Sequence, residues 1–373
     1  MLGITEPPGY GGGSSAAYGF FRQLCADGHD AHLANMVEHR DEPYYRFMFG
    51  ESLGNRATLP TMRPVMLRGG LASSQPALAE HVREVAPDLL VAFGHQAALL
   101  LCDAAAGRPV VFVTQCCRVA QDHVTSGYAS HALQLQALLV RAGGMRLVNP
   151  REREAVRRSS LVITHSPMTL ALMQASYPRE VGRLFPAPFS FGKWISDEAR
   201  AHAPLARPFA ARDIDVVLVA SSWMRREKNW PWVEALARAL PKASIHVVGD
   251  VPRRIPGVTH HGFVASREAL MTLLGRARCV ACPSLIDAAP GVLFEGSVMG
   301  CNLVASANCG NADICSPSLL IDPFTPAVFV DRVRAALRAP ISDRAPALDL
   351  EGAHASLVGV LDAAARSLSG RLG

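Results

Sequence analysis

Apolar residues in this chain gather into short runs rather than long stripes. Leu89-Leu90-Val91-Ala92-Phe93, Pro109-Val110-Val111-Phe112-Val113-Thr114, Ser160-Leu161-Val162-Ile163-Thr164 and Asp215-Val216-Val217-Leu218-Val219-Ala220 barely alternate between apolar and polar. Runs of this length, rich in β-branched residues, predict strands covered on both faces. Residues 1–5, 31–36, 244–248, 277–282, 302–306 and 319–321 read as further strands. Between them the period lengthens, predicting helices from Ser14 or Ser15 to about Ala26, over 76–86, 134–142 and 152–158, and onward from Ser166-Pro167. More follow after Asn229 to Leu240 and over 266–274, 292–299, 326–336 and 350–368. Strand alternates with helix, so the expected class is α/β with parallel sheets.

The alternation lapses twice. Residues 39–75 are irregular, aromatic and proline-bearing, suited to a surface insertion that shapes a ligand pocket. Residues 185–212 carry Pro186, Pro188, Gly192, Pro204 and Pro208, which marks a join. A chain of 373 residues exceeds what one core usually supports. The expected division is an N-terminal domain over 1–190, a linker over 191–212, a second domain over 213–350, and a helix over 351–373 packing back on the first. Two doubly wound domains would then face one another across a cleft.

Composition narrows the function classes. Hydrophobic residues make up 49% and charged residues 18%, an ordinary folded composition rather than a disordered one. The net charge of +5 is carried almost wholly by arginine, since Lys193, Lys228 and Lys242 are the only lysines. That suits anionic ligands or an anionic membrane surface and does not indicate nucleic acid. The nine cysteines are odd in number and scattered, and Cys279 and Cys282 sit inside an apolar run. A strand would send that pair to opposite faces, so they read as buried structural thiols in a reducing compartment and not as a metal site. Met1-Leu2-Gly3-Ile4-Thr5-Glu6 lacks the form of a leader, and no stretch is long and apolar enough to span a bilayer; the expected location is cytoplasmic.

Candidate chemistry collects where strands end. Gly11-x-Gly13-x-x-Ala16 formally matches a dinucleotide fingerprint, but Pro7 and Pro8 separate it from its strand, which argues against nicotinamide. The glycine loop with Gly12 and Gly13 remains a place where backbone can approach a ligand. His95 follows the strand ending at Phe93, as a sugar-binding or acid–base candidate or as a histidine satisfied by a neighbouring carbonyl. Arg225, Arg226 and Lys228 follow the 215–220 strand; cations at a helix start oppose its dipole and make most sense with a bound anion. Asp287 and Glu295 stand eight residues apart, Asp287 in a loop and Glu295 on the helix after Pro290-Gly291-Val292. The unpaired N–H groups opening that helix attract a diphosphate, and the carboxylates suit neutral hydroxyls flanking it. Such an arrangement is what a sugar nucleotide requires.

Over roughly 247–315 the sequence resembles the group 1 retaining glycosyltransferases of the GT-B fold. The resemblance rests on Pro283-Ser284, an acid three residues later at Asp287, a second acid at Glu295, the helix closing in Gly300, and Leu303-Val304-Ala305. It implies two Rossmann-like domains, a nucleoside diphosphate sugar as donor substrate, no separate cofactor and no obligatory metal. Glu295 would accept from the ribose hydroxyls, Asp287 would hold the sugar, Pro290, Gly291 and Val292 would meet the diphosphate, and Phe263-Val264 would flank the base. Lys228 looks like the family's phosphate lysine, with the guanidinium coming from Arg225 or Arg226, the latter preferred. The sequence departs from the family at Asp287, usually Glu; at Ser222-Trp223, where Gly-Arg is common; and at Gln115-Cys116, where a histidine often stands. The implied activity is sugar transfer with retention to a small-molecule, glycan or lipid acceptor, with peripheral membrane contact open. The alternative is a non-catalytic GT-B module that binds a nucleotide sugar or a protein partner.

Overall fold

The computed structural model describes residues 2–5, 12–35, 56–58, 75–114, 116–127, 150–187, 192–264, 266–322, 325–341 and 349–369. The expected helix over 134–142 lies outside them, as does most of the irregular 39–75 segment. The strands are β1 (Leu2–Thr5), β2 (His32–Asn35), β3 (Arg56–Thr58), β4 (Leu90–Phe93), β5 (Val110–Thr114), β6 (Leu161–Thr164) and β7 (Leu184–Pro186), then β8 (Ile214–Ser222), β9 (Ile245–Asp250), β10 (Val258–Gly262), β11 (Ala277–Cys282), β12 (Asn302–Ser306) and β13 (Leu320–Ile321). The helices are α1 (Gly12–Ala26), α2 (Gln75–Val85), α3 (His95–Ala104), α4 (Arg118–Gly127), α5 (Pro150–Arg158) and α6 (Pro167–Ser176), followed by α7 (Gly192–Ala201), α8 (Trp230–Ala239), α9 (Arg267–Arg276), α10 (Gly291–Val298), α11 (Pro326–Arg338) and α12 (Leu350–Ser369).

The strands form two sheets, ordered β3-β2-β1-β4-β5-β6-β7 and β10-β9-β8-β11-β12-β13. Every pairing between named strands is parallel. The order reverses once in each sheet, at β1/β4 and at β8/β11, and ligands of open parallel sheets bind beyond the carboxyl ends at such points. The chain divides into two compact units, the first sheet with residues 351–369 in one and the second sheet in the other.

The unbroken apolar runs become strands with a core on each face. Leu90, Ala92, Val110 and Phe112 pack with Leu78 and Val82 of α2 and Leu101 of α3. The alternate residues Val91, Phe93, Val111 and Val113 pack with Phe20, Phe21 and Leu24 of α1 and with Leu357 and Leu361 of α12. In the second sheet, Cys279 lies on the face covered by α8 and α11, whereas Cys282 lies on the face covered by α9 and α10. The period-2 geometry of a strand separates them as the sequence implied.

Two stretches differ from expectation. Residues 192–201, inside the expected linker, form helix α7, whose Ile195 and Ala199 are buried one helical turn apart. The prolines mislead there, because Pro204 and Pro208 open short turns rather than interrupt a helix. Pro186 belongs to β7 at the edge of the first sheet, where a missing N–H costs no ladder bond.

Candidate functional site

At the carboxyl end of β8 the chain turns sharply and is held by its neighbours. Gly249 of β9 has φ 105°, and a Cβ there would lie 1.7 Å from the Ala220 carbonyl oxygen, so only glycine fits. Trp223 is buried, donating its backbone N–H to Asp250 at 2.7 Å and its indole N–H to the Val248 carbonyl at 2.9 Å. A single 3₁₀ turn, Arg226–Lys228, ends at Asn229 in the left-handed region with φ 62°. Asn229 is buried, and its amide donates to the Pro283 carbonyl at 3.1 Å. The Leu285 N–H donates to the Glu227 carbonyl at 2.8 Å. These two bonds fasten the loop after β8 to the loop after β11.

The fastening brings Lys228 to Asp287. Lys228 Nζ donates to Asp287 Oδ2, and each side chain is only 15% exposed. Burial works to lower the lysine pKa, but Asp287, aided by Cys282, outweighs it and holds Lys228 above its ordinary value, fully charged. The loop that carries Asp287 is also tied down. The Asp287 N–H donates to the Asn308 carbonyl at 3.0 Å, and its carbonyl accepts from the Gly310 N–H at 2.8 Å. The Asn308 amide adds a bond to the Leu285 carbonyl at 2.9 Å. This pairing prolongs the β11–β12 association past the strands and fixes the carboxylate's backbone.

Helix α10 opens at the same end of β11. Pro290 is its N-cap, without a capping side chain, and the Asn311 amide holds the Pro290 carbonyl at 3.0 Å. Leu293 N–H bonds back to Pro290, which leaves the Gly291 and Val292 N–H groups without a partner among the described residues. Those two donors, at the positive end of a helix dipole, can receive an anion. Glu295, in the second turn of α10, is buried and accepts on Oε1 from Arg267, the first residue of α9. Phe263 and Val264 lie just beyond β10; the Phe263 ring is 45% exposed and Val264 packs on the α9/α10 core. Of the two candidate guanidinium groups, Arg225 bonds Glu227 at 2.6 Å, while Arg226 is exposed.

Three further candidates, His95, Gly12 and Gly13, belong to the first unit. His95 is the first residue of α3, after Gly94 with φ 97°. Desolvation, then the charges of Arg118 and Arg151, push its pKa down to about 4, so the imidazole is neutral near pH 7. Gly12 and Gly13, expected in a loop capped by Ser14 or Ser15, instead form the first turn of α1. Gln115 lies outside the described residues, and the Cys116 carbonyl accepts from Thr114 Oγ1 at 2.7 Å.

Two features went unread in the sequence. Buried Glu152 caps α4 by accepting the Arg118 N–H at 3.0 Å and also takes the Tyr177 hydroxyl at 2.6 Å. Desolvation raises its pKa against the lowering effect of the tyrosine bond. Arg267 is the other, and a signal for it existed: a cation at the first position of a helix opposes the dipole and calls for an anionic partner. Among the described residues no cluster of three or more His, Cys, Asp or Glu side chains is placed to hold a metal. No described helix is long and apolar enough to cross a membrane, and the nine cysteines are free thiols.

Residues 214–339 match the family model for glycosyl transferases group 1. No curated protein matches the sequence. Among solved structures, Anabaena HepE in complex with UDP and glucose superposes with a TM-score of 0.65 at 16% identity, covering 97% of this chain and 99% of that one. Sucrose-phosphate synthase from Thermosynechococcus elongatus gives 0.63 at 17% identity over 100% and 97% of the two chains. WaaG, a glycosyltransferase involved in lipopolysaccharide biosynthesis, gives 0.62 at 17% identity over 99% and 100%. The fold is GT-B, as the sequence resemblance implied.

Proposed function

We propose that this GT-B protein, whose second unit matches the group 1 glycosyltransferases, moves a sugar from a nucleoside diphosphate sugar to an acceptor hydroxyl with retention at the anomeric carbon. The observation that carries the reading is the Lys228–Asp287 pair beside the uncapped start of α10. Breaking the glycosidic bond places charge on the departing diphosphate. Lys228, Arg226 and the Gly291 and Val292 N–H groups are the donors that would stabilise it, and fixed donors in a partly desolvated site need little reorganisation. Asp287 has a tethered backbone and a carboxylate able to accept from sugar hydroxyls while balancing Lys228. Glu295 takes the ribose hydroxyls, with Phe263 and Val264 beside the base.

In the first unit, His95 is a neutral imidazole, able to accept or donate one hydrogen bond to a hydroxyl of the acceptor or the sugar. Gly12 and Gly13, opening α1, offer backbone N–H groups to the same end. The acceptor is a small molecule, glycan or lipid. Nucleoside diphosphate sugar serves as substrate, and the chemistry described needs no metal. Free thiols throughout favour a reducing compartment such as the cytoplasm.

The test is release of nucleoside diphosphate from a panel headed by UDP-glucose, the ligand pair seen with HepE, with product anomers read by NMR. Turnover that vanishes in Lys228→Ala and Glu295→Ala supports the reading. Tight donor binding with neither transfer nor hydrolysis across donors and acceptors would replace it with a non-catalytic sugar-nucleotide module.

A further inference from the structure

Glu295 is not presented to the site by its helix alone. Its side chain is 9% exposed, and Oε1 is engaged by Nη1 of Arg267, itself 21% exposed. The other terminal nitrogen, Nη2, stands 3.1 Å from Oε2 of Glu198, which lies on α7. The guanidinium on α9 therefore sits between two carboxylates, one on α7 and one on α10. Burial would lower the Arg267 pKa, but Glu295 and Glu198 outweigh it and keep the guanidinium charged. The Glu198 contact does not align as a hydrogen bond, so the fully formed bond of the triad is the one to Glu295.

The sum of charges is minus one. A centre of net negative charge is poorly suited to a phosphate, and its carboxylates are well suited to a pair of neutral hydroxyls. With Oε1 held by Arg267, the carboxylate cannot rotate freely, and Oε2, which has no hydrogen-bond partner among the described residues, is the acceptor left over. A planar guanidinium fixes a carboxylate's orientation as well as its charge, which a point charge does not.

We propose that Arg267, anchored by Glu198, is a positioning residue that presents Glu295 Oε2 to the 2′- and 3′-hydroxyls of the nucleotide and so makes the site selective for ribose over 2′-deoxyribose. The proposal rests on the donor-site reading of Glu295 given above. Arg267 does not touch the reacting atoms, so its removal weakens binding of the donor far more than the chemical step. Such an effect raises KM with little change in kcat.

Isothermal titration of UDP, ADP and GDP, each against its 2′-deoxy form, tests the proposal with wild type, Glu295→Gln, Arg267→Gln and Arg267→Lys. The expected result is a preference for the ribo form in wild type, lost in Glu295→Gln and reduced about 10-fold in Arg267→Gln, with Arg267→Lys restoring part of it. In turnover, Arg267→Gln raises donor KM by about the same factor while kcat stays within about threefold. Undiminished ribo preference in Arg267→Gln, alongside its loss in Glu295→Gln, overturns the role of Arg267 and leaves the donor site standing. If Arg267→Gln does not fold, the same judgement passes to Arg267→Lys, where an unchanged preference overturns the proposal. Wild type that binds none of the diphosphates, or Glu295→Gln that keeps the preference, removes the inference together with the reading beneath it.

Discussion

The two units share one order over six strands, with a seventh at the edge of the first sheet, and differ in what they place at its reversal. At β8/β11 the loops and the helix starts carry ion pairs, Lys228 with Asp287 and Arg267 with Glu295, on backbones tied by Asn229, Asn308 and Asn311. At β1/β4 the described side-chain candidate is a single histidine, held neutral by burial and by the charges of Arg118 and Arg151. A buried carboxylate of that unit is turned inward instead: Glu152 caps α4 and binds Tyr177 as part of the packing. One scaffold thus supports a polar, anion-ready surface in one unit and a quiet one in the other. The chemistry resides in loops, which the sheet only positions.

The sharpest way to break the contrast is Lys228→Ala. Transfer should fall about 100- to 1000-fold through loss of one fixed cation at the departing diphosphate. The same change leaves Asp287 without its counter-charge in a largely desolvated pocket, so unfolding free energy should drop by about 3 kcal/mol in a urea titration. Unaltered kcat/KM would remove the second unit's distinction. Glu295→Gln comes next: donor KM should rise about 10- to 100-fold with kcat changed only a few-fold, measured by initial rates across donor concentrations.

On the other side of the comparison, Tyr177→Phe should lower stability by about 1–3 kcal/mol, because Glu152 keeps its buried position and loses a donor. Donor KM should stay at the wild-type value; a KM change of tenfold would make Glu152 part of the ligand chemistry rather than of the packing. The smallest effect belongs to His95. Its folded pKa of about 4 lies below the ordinary 6.5, so between those values the unfolded chain takes up a proton that the folded chain refuses. The stability present above pH 6.5 is lost progressively as pH falls toward 4. Urea midpoints at pH 7 and pH 5 should therefore differ less in His95→Gln than in wild type, and an equal difference would assign the loss to other groups.

Much of the fold was legible because parallel strands buried on both faces leave apolar runs that little else imitates. Ser166 and Ser266 signalled helix starts, and both cap through their hydroxyls, accepting from Thr169 N–H at 3.1 Å and Ala269 N–H at 3.3 Å. What escaped were elements too short or too polar for a pattern to accumulate. Arg56-Ala57-Thr58 forms β3 through backbone pairing to β2, which side-chain chemistry does not announce. Helix α7 was hidden by the prolines that precede and follow it. At the site, spacing drew attention to Asp287 and Glu295 but could not name their partners. Lys228 lies 59 residues from Asp287 and Arg267 lies 28 from Glu295, and only the sheet order brings such positions together.

Helix α12 gives the molecule an awkward order of assembly. Phe20, Phe21, Leu24 and Phe93 are made early, yet the face they form is closed by Leu357 and Leu361 and by His354, which bonds Asp27 at 2.8 Å. On a ribosome adding roughly 5–20 residues per second, that apolar face waits on the order of tens of seconds for its cover. All thirteen strands of the described residues leave the ribosome before it does. The unit encoded first is therefore the last to be sealed, and during synthesis its exposed face is what a chaperone would find.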